Sequence, residues 1–208
     1  NSSSWDNKSY IQISNIDATY TKYWDDADDN SDTDKYNDAN DITNNGNNEG
    51  FSPIGNSTST FSSSYDGNGY SISGLTINRG STNNVGMFGY TSSGAIISKL
   101  HLENDNITGS YRVGSLVGYL SNSSIEKCSS SGTVTGDRIV GGLVGITSGL
   151  SGTASSVNNS FSTASVTAGD STGIAGGLTG FLFVNTNVTN SYSTGSITAN
   201  ASRGGLVG

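Results

Sequence analysis

The chain has 208 residues and a net charge of −8, with 9 basic and 17 acidic side chains. Only 32% of the residues are hydrophobic and 12% are charged, while 38 Ser, 22 Thr, 24 Asn and 29 Gly dominate the composition. No run of about 18 apolar residues is present, so the sequence contains no membrane-spanning helix, and an enzyme fold with a thick core is disfavoured. The acidic balance also argues against nucleic acid, which is bound by basic surfaces. An all-β or low-complexity chain remains.

The acidic charge is concentrated near the N-terminus. Residues 1–49 hold 11 of the 17 carboxylates, most of them in a predicted acidic loop at 25–49. Oxygen ligands crowd together in this loop, which makes calcium a candidate cofactor. An EF-hand beginning at Asp28 would need Gly in place of Thr33 and Glu in place of Ala39, so that template fails, and a solvated loop without metal is the alternative. The candidate calcium ligands are Asp25, Asp26, Asp28, Asp29, Asp32 and Asp34.

A glycine-rich block recurs in the second half of the chain. Its closing glycines are 29, 27, 35 and 28 residues apart. The copies of the block lie at residues 86–89, 114–118, 141–145, 176–180 and 204–208. A second element follows the three middle blocks at a nearly constant offset, at residues 125–135, 157–167 and 188–198. Two elements in phase with each other predict a repeat architecture with a period near 28 residues.

Each repeat is too small to fold alone. The short alternating apolar positions and frequent glycines favour strands over helices, and about five inward side chains per unit require stacking on neighbouring copies. If each unit is one coil of a parallel β-helix, equivalent residues lie about 4.8 Å apart and form an internal ladder. The block glycines would serve either turns with positive φ or places where two walls pass close together. The predicted ladder consists of Leu116, Leu143, Leu178 and Leu206.

These elements resemble the GLUG motif, a repeat of large bacterial and archaeal surface proteins, adhesins and immunoglobulin A-cleaving metallopeptidases. The resemblance rests on Gly-Gly-Leu-Val-Gly at 141–145 and 204–208, and on Asn-Ser-Tyr-Ser-Thr-Gly-Ser-Ile-Thr at 190–198. It covers residues 85–208, and residues 51–77 resemble the segment that commonly precedes such repeats. The resemblance implies a β-solenoid at a cell surface and no single enzymatic activity.

We therefore predict an all-β fold, a right-handed parallel β-helix (solenoid) with an N-terminal capping region. Residues 1–84 form this capping region and include the acidic loop, and residues 85–208 form the GLUG-like coils. The last block, at 204–208, opens a coil without completing it. We expect the coils to continue beyond the C-terminus in a longer parent protein, because an uncovered coil exposes unpaired strand edges.

Few residues point to catalysis. His101 is the only imidazole, and we interpret it as a surface residue of a strand beside Glu103. Cys128 occupies the position that Ser160 and Ser191 hold in later copies, which predicts a small inward side chain rather than a reactive thiol. One His and one Cys cannot assemble a zinc site.

A carbohydrate-active β-helix enzyme would align carboxylates along one cleft. The acidic residues of the repeats, Asp66 and Asp137 among them, fall at different phases of the repeat, so we predict no enzyme activity.

The second element also predicts a hydroxyl-rich surface. In each copy a Val or Ile points inward between two hydroxyl residues that point outward, so stacking produces two columns of hydroxyls. Such a surface could order water or meet a carbohydrate, although Thr is also simply a good strand residue. The candidate binding face consists of Thr133, Thr135, Ser165, Thr167, Ser196 and Thr198.

The expected function is that of a non-enzymatic, extracellular structural or adhesive segment of a large surface protein. Its expected partners are a cell-surface glycan or protein ligand, or copies of itself. We expect no binding of nucleic acid and no membrane span in this segment. The first alternative is an ice- or glycan-binding module that uses the stacked Thr/Ser face. The second alternative is a subunit of an extracellular fibre that assembles end to end.

Overall fold

The structure is a computed structural model that describes residues 8–24, 48–92, 94–149 and 153–208. The calcium ligands predicted in the acidic loop therefore lie outside the described residues; these are Asp25, Asp26, Asp28, Asp29, Asp32 and Asp34. Glu49, the last residue of that predicted loop, is described and forms an ion pair with Arg79 across 2.5 Å. Within the described ranges no helix has the length and apolar character needed to cross a membrane.

Short strands follow one another along the described chain. The strands before the glycine-rich blocks are β1 (Ser9–Ile11), β2 (Ile16–Asp17), β3 (Ser64–Asp66), β4 (Ser71–Ser73) and β5 (Thr76–Asn78), with a 3-10 helix (Thr19–Tyr23) after β2. Next come β6 (Phe88–Thr91), β7 (Ile96–Ser98), β8 (His101–Thr108), β9 (Val113–Gly114), β10 (Val117–Ser121), β11 (Ser124–Glu126) and β12 (Ser129–Gly136). The remaining strands are β13 (Ile139–Gly141), β14 (Val144–Ser148), β15 (Ser155–Asn158), β16 (Phe161–Ser162), β17 (Ser165–Ala168), β18 (Ile174–Gly176), β19 (Thr179–Leu182), β20 (Thr186–Thr189), β21 (Tyr192–Ser193), β22 (Ile197–Ala199) and β23 (Ser202–Gly204).

These strands form four parallel sheets, and each sheet takes strands from successive coils. Sheet A has the order β1-β3-β7-β11-β15-β20, and sheet B has the order β2-β4-β8-β12-β16-β21. In sheet B, β5 also pairs with β8, and β17 pairs with β12 and β22. Sheet C has the order β6-β10-β14-β19 and sheet D the order β9-β13-β18-β23. The predicted parallel β-helix is confirmed, and the same pairing includes β1 to β5, upstream of the glycine-rich blocks.

The predicted leucine ladder is present. The Leu143 N–H donates to the Leu178 carbonyl across 2.9 Å, and the Leu116 N–H donates to the Leu143 carbonyl across 3.0 Å. These three side chains are fully buried, and Leu206 packs on them from the last coil. Each coil therefore adds one leucine to this ladder. The core is continuous because each leucine buries its surface against the leucines of the preceding and following coils.

The glycines of the block are required because two backbones approach closely. Gly141 ends β13, and a Cβ placed on it would overlap the Val144 carbonyl oxygen and lie 2.5 Å from the nitrogen of Gly180 in the next coil. Gly114, one coil earlier, has the same surroundings, with the Gly145 nitrogen 2.7 Å from an added Cβ. Of the two explanations offered by the sequence, close approach is the correct one here, since φ is not positive at these two positions.

Residues with a left-handed backbone conformation lie instead at the corner where the chain passes from sheet A to sheet B. Lys127, Asn159 and Asn190 have φ between 50° and 55°, a conformation that Asn adopts more readily than most residues. The residue after each is small and inward: the Ser160 hydroxyl accepts the Cys128 N–H across 3.1 Å and donates to the Asn158 carbonyl across 2.8 Å. A side-chain oxygen thus satisfies a backbone donor that the corner leaves without a carbonyl partner.

Candidate functional site

The six predicted face residues lie together on sheet B. Thr133 pairs with Ser165, and Thr135 pairs with Thr167, which pairs in turn with Thr198. The Ser196 hydroxyl donates to the Ser165 hydroxyl across 3.0 Å, which links the last two members of one column. The inward residues between the columns, Val134, Val166 and Ile197, pack in the core.

Both columns contain more residues than the repeat pattern in the sequence predicted. Asn106 and Thr108 on β8 pair with Thr133 and Thr135, and Thr76 and Asn78 on β5 pair with Asn106 and Thr108. The Thr133 hydroxyl donates to the Asn106 side-chain oxygen across 3.1 Å. We call these two columns, five coils long, the hydroxyl face; no member carries a charge. The extension was missed because Asn replaces the hydroxyl residue at two positions.

A groove lies beside the hydroxyl face on the same sheet. At the start of the sheet B strands, one outward column contains His101, Ser129, Phe161 and Tyr192 in register. The Phe161 and Tyr192 rings stack with centroids 5.0 Å apart and an angle of 2° between their planes. Ser129 is too small to continue this aromatic stack, so a depression of about 330 Å³ opens on the other side of Phe161. We call it the Ser129 groove.

A β-bulge shapes the wall of the groove on the N-terminal side. On β8, Glu103 and Asn104 together oppose the single residue Ser131 of β12, and Asn104 has a φ of 56°. The Ser131 hydroxyl accepts the Asn104 N–H across 3.0 Å. Because of the extra residue, the Glu103 carboxylate and the Asn104 amide point outward beside Ser130 and Ser131.

The same bulge turns Asp105 inward. Asp105 is 2% exposed, and neither of its carboxylate oxygens has a hydrogen-bond partner among the described residues. Burial, with a smaller contribution from the charge of Glu103, raises the pKa of Asp105 to about 8. The carboxyl is therefore mostly protonated at neutral pH. The spacing carries a signal of this bulge: Leu102 and Ile107 both face inward although they are five positions apart, an odd offset that strict alternation does not allow.

Cys128 is structural, as predicted from its position. It is 1% exposed, and its thiol donates to the Glu126 carbonyl across 3.4 Å, as the Ser160 hydroxyl does to Asn158. Burial raises the pKa of the thiol to about 12, so the reactive thiolate is scarce.

We expect Cys128→Ser to change the free energy of unfolding by less than about 1 kcal/mol, because Ser occupies this position in the next two coils. Chemical denaturation measures the change. In the native wild-type chain a thiol reagent should not label Cys128 until the chain unfolds. Rapid labelling of the folded protein would contradict this assignment.

The remaining acidic candidates serve turns. Asp66 accepts the Asn68 N–H across 2.8 Å and pairs with Lys99 across 3.1 Å, and both interactions lower its pKa. Asp137 accepts the Ser110 hydroxyl across 2.7 Å. In the part of the chain that the structure describes, no group of three His, Cys, Asp or Glu side chains is placed to hold a metal ion.

The comparison of the chain with known proteins identifies one motif in its middle coils. The GLUG motif matches residues 109–135, which contain β9 to β11 and nearly all of β12. The match therefore covers one complete coil, with one strand from each of the four sheets. The chain contains a GLUG motif in this coil.

Two relatives share more of the sequence. Halomucin of Haloquadratum walsbyi is 35% identical over 152 residues, which is 71% of this chain and 1% of halomucin. A protein of Evansella cellulosilytica, described as a proposed Gly-rich membrane protein, is 39% identical over 59 residues, which is 28% of this chain and 7% of that protein. The GLUG-motif chain thus spans a small fraction of either relative, and neither name denotes an enzyme.

A crystal structure of a proposed immunoglobulin A1 protease from Bacteroides ovatus is also similar. It covers 69% of this chain and 68% of its own, with a TM-score of 0.45 and 13% sequence identity.

Proposed function

We propose that this chain is a non-enzymatic structural segment of a large protein at the cell surface, and that its β-helix presents an outward face for attachment. The observation that carries the proposal is the unbroken stack of sheet A, which runs through six strands from β1 to β20. A stack of this kind is quasi-one-dimensional, since each coil contacts only its neighbours and length grows by adding coils. Such an element suits a spacer that holds a surface away from its anchor.

The relatives and the site chemistry agree with this role. One relative is halomucin and the other is described as a membrane protein, and this chain corresponds to 1% and 7% of their lengths. Hydrolysis of a glycosidic bond typically uses two carboxylates that flank that bond. Here Asp66, the last residue of β3, is held by Lys99, and Asp137 is held by Ser110 after β12. We therefore assign no reaction to the chain.

Antibodies raised against the purified chain test its location. We expect them to label intact cells of the source organism as strongly as permeabilised cells, and limited proteolysis of intact cells should remove the signal. A cytoplasmic protein serves as the control and should be labelled only after permeabilisation. Labelling of the chain that also requires permeabilisation would contradict the proposal.

The hydroxyl face supports a second candidate, the ordering of water or ice by this surface. Its two columns stay in register over five coils and are uncharged, so eight hydroxyl and two amide side chains repeat about every 4.8 Å along the axis.

We expect the wild-type chain to produce thermal hysteresis and Thr167→Tyr to abolish it, because the ring interrupts the flat column at its fourth coil. The matched control is Thr172→Tyr in an exposed turn, which should behave as wild type. An inactive wild-type chain, or a Thr167→Tyr variant with unchanged activity, would contradict this candidate.

A further inference from the structure

The Ser129 groove has the size and the chemistry of a ligand site. Its volume of about 330 Å³ lies in the range of small-molecule sites, which is roughly 300–1,000 Å³. It is bounded by coils on both sides, with Glu103 and Asn104 towards the N-terminus and Phe161 and Thr163 towards the C-terminus. The floor is formed by Ser129 and its neighbours in β12.

Phe161 supplies an aromatic platform. One face of its ring is covered by Tyr192 at a centroid distance of 5.0 Å, and the opposite face is directed along the same column towards Ser129. The face of an aromatic ring carries partial negative charge and attracts weakly positive hydrogens. A saturated ring with C–H groups on one side can therefore lie on Phe161 as the next member of the stack.

The rest of the lining is polar. Glu103, Asn104 and Thr163 are exposed and offer a carboxylate, an amide and a hydroxyl around the platform. Glu103 is not among the ion-paired carboxylates of the described residues, which are Glu49, Asp66 and Glu126. Its oxygens can accept two hydrogen bonds from neighbouring hydroxyls of a ligand.

The charge of the groove restricts the ligand. Phosphates, sulfates and carboxylated sugars would face the Glu103 carboxylate, and no Lys or Arg side chain lines the groove among the described residues. The His101 imidazole lies beside the groove, with Nδ1 2.8 Å from the Ser129 hydroxyl. A purely apolar ligand would leave the carboxylate and the amide without partners. An uncharged ring with an apolar C–H side and a hydroxylated edge satisfies both surfaces.

We propose that the Ser129 groove binds an uncharged pyranose ring, with its C–H side stacked on Phe161 and its hydroxyls bound by Glu103. This inference rests on the proposed attachment role and gives it a ligand class. It differs from the hydroxyl face, whose members are Thr, Ser and Asn side chains without an aromatic ring.

The test uses the full 208-residue chain and ligand-observed NMR with three uncharged probes: the methyl β-pyranosides of glucose, galactose and mannose. We expect at least one to bind with a dissociation constant of about 1 mM, with saturation transfer strongest at protons of one ring side. Glucuronic acid should bind at least tenfold more weakly, and Glu103→Gln should reduce this difference.

Two variants locate the binding. Phe161→Ala removes the platform, and Ser129→Phe fills the groove with the residue that the next coil already has in this column. Each should weaken binding at least tenfold, while Phe183→Ala, a change at an aromatic ring that is 54% exposed and outside the groove, should leave it unchanged. Circular dichroism checks that each variant folds. If Phe161→Ala does not fold, the result for Ser129→Phe alone tests the proposal.

Two results would overturn the proposal: no saturation transfer to any of the three probes at tens of millimolar, or binding that survives Ser129→Phe. Surface labelling by antibodies does not depend on the groove. A chain that is displayed on cells and binds none of the probes therefore loses the pyranose site and retains the structural role. A chain that binds a probe but stays inside the cell loses the proposed function instead.

Discussion

Replacing Gly141 with Ala should destabilise the chain by at least about 3 kcal/mol. The added Cβ would overlap the Val144 carbonyl oxygen and approach the Gly180 nitrogen to 2.5 Å, and both are backbone atoms that cannot rotate away. Overpacking of a core side chain costs about 1–3 kcal/mol, and the cost here lies at or above that range because two coils must separate. Urea denaturation of the purified variant measures the loss.

Gly169→Ala is the matched control for this prediction. Its added Cβ would meet nothing closer than the Gly136 carbonyl oxygen at 3.8 Å, and its φ lies outside the left-handed region. We expect no loss of stability and a gain of up to about 1 kcal/mol, since the backbone accepts a side chain there and Ala restricts the unfolded chain. Equal stability of the two variants would show that close backbone approach is not the reason why glycine is required in these blocks.

The second large effect concerns Asp105. Its pKa is raised from 3.8 to about 8 in the folded chain, so between these values the folded state keeps a proton that the unfolded state has released. The free energy of unfolding therefore falls by about 1.4 kcal/mol per pH unit from about pH 4 to about pH 8, and then levels off. The loss is complete above pH 8 and amounts to roughly 6 kcal/mol.

Two variants isolate this contribution. Asp105→Asn has nearly the same shape and cannot ionise, so its stability should lack the decline from pH 4 to pH 8 that the wild-type chain shows. Asp105→Leu should be more stable than wild type at pH 8 by several kcal/mol, because the preceding coil buries Leu75 near this level and Gly132 on β12 contributes no side chain. Parallel pH profiles of wild type and Asp105→Asn would refute the assignment.

The repeat pattern predicted most of the fold. Residues at the same phase, such as Leu143 and Leu178, occupy the same wall, because parallel strands in successive coils pair residue by residue. The same rule brought Thr135, Thr167 and Thr198 together. These predictions need only the phase of each residue within its repeat.

Features that break the phase could not be predicted in this way. Asn104 adds one residue to β8, which reverses the direction expected for Asp105 and forms one wall of the Ser129 groove. The groove also depends on which small residue lies beside a large one in the next coil. Ser129 and Phe161 occupy equivalent positions in successive repeats. Only their pairing in register shows that the small Ser129 leaves one face of the Phe161 ring uncovered.

Disulfide formation between coils tests the in-register stack most directly. In a Cys128→Ser background, Thr135→Cys combined with Thr167→Cys places two thiols on paired residues of adjacent strands, where the Cα separation of about 4.8 Å suits a disulfide. Thr133→Cys with Thr167→Cys is two residues out of register, at about 8 Å. We predict rapid intramolecular oxidation of the first pair and none of the second, measured by peptide mass. Equal oxidation of both pairs, or oxidation of the second alone, would contradict the stacked β-helix.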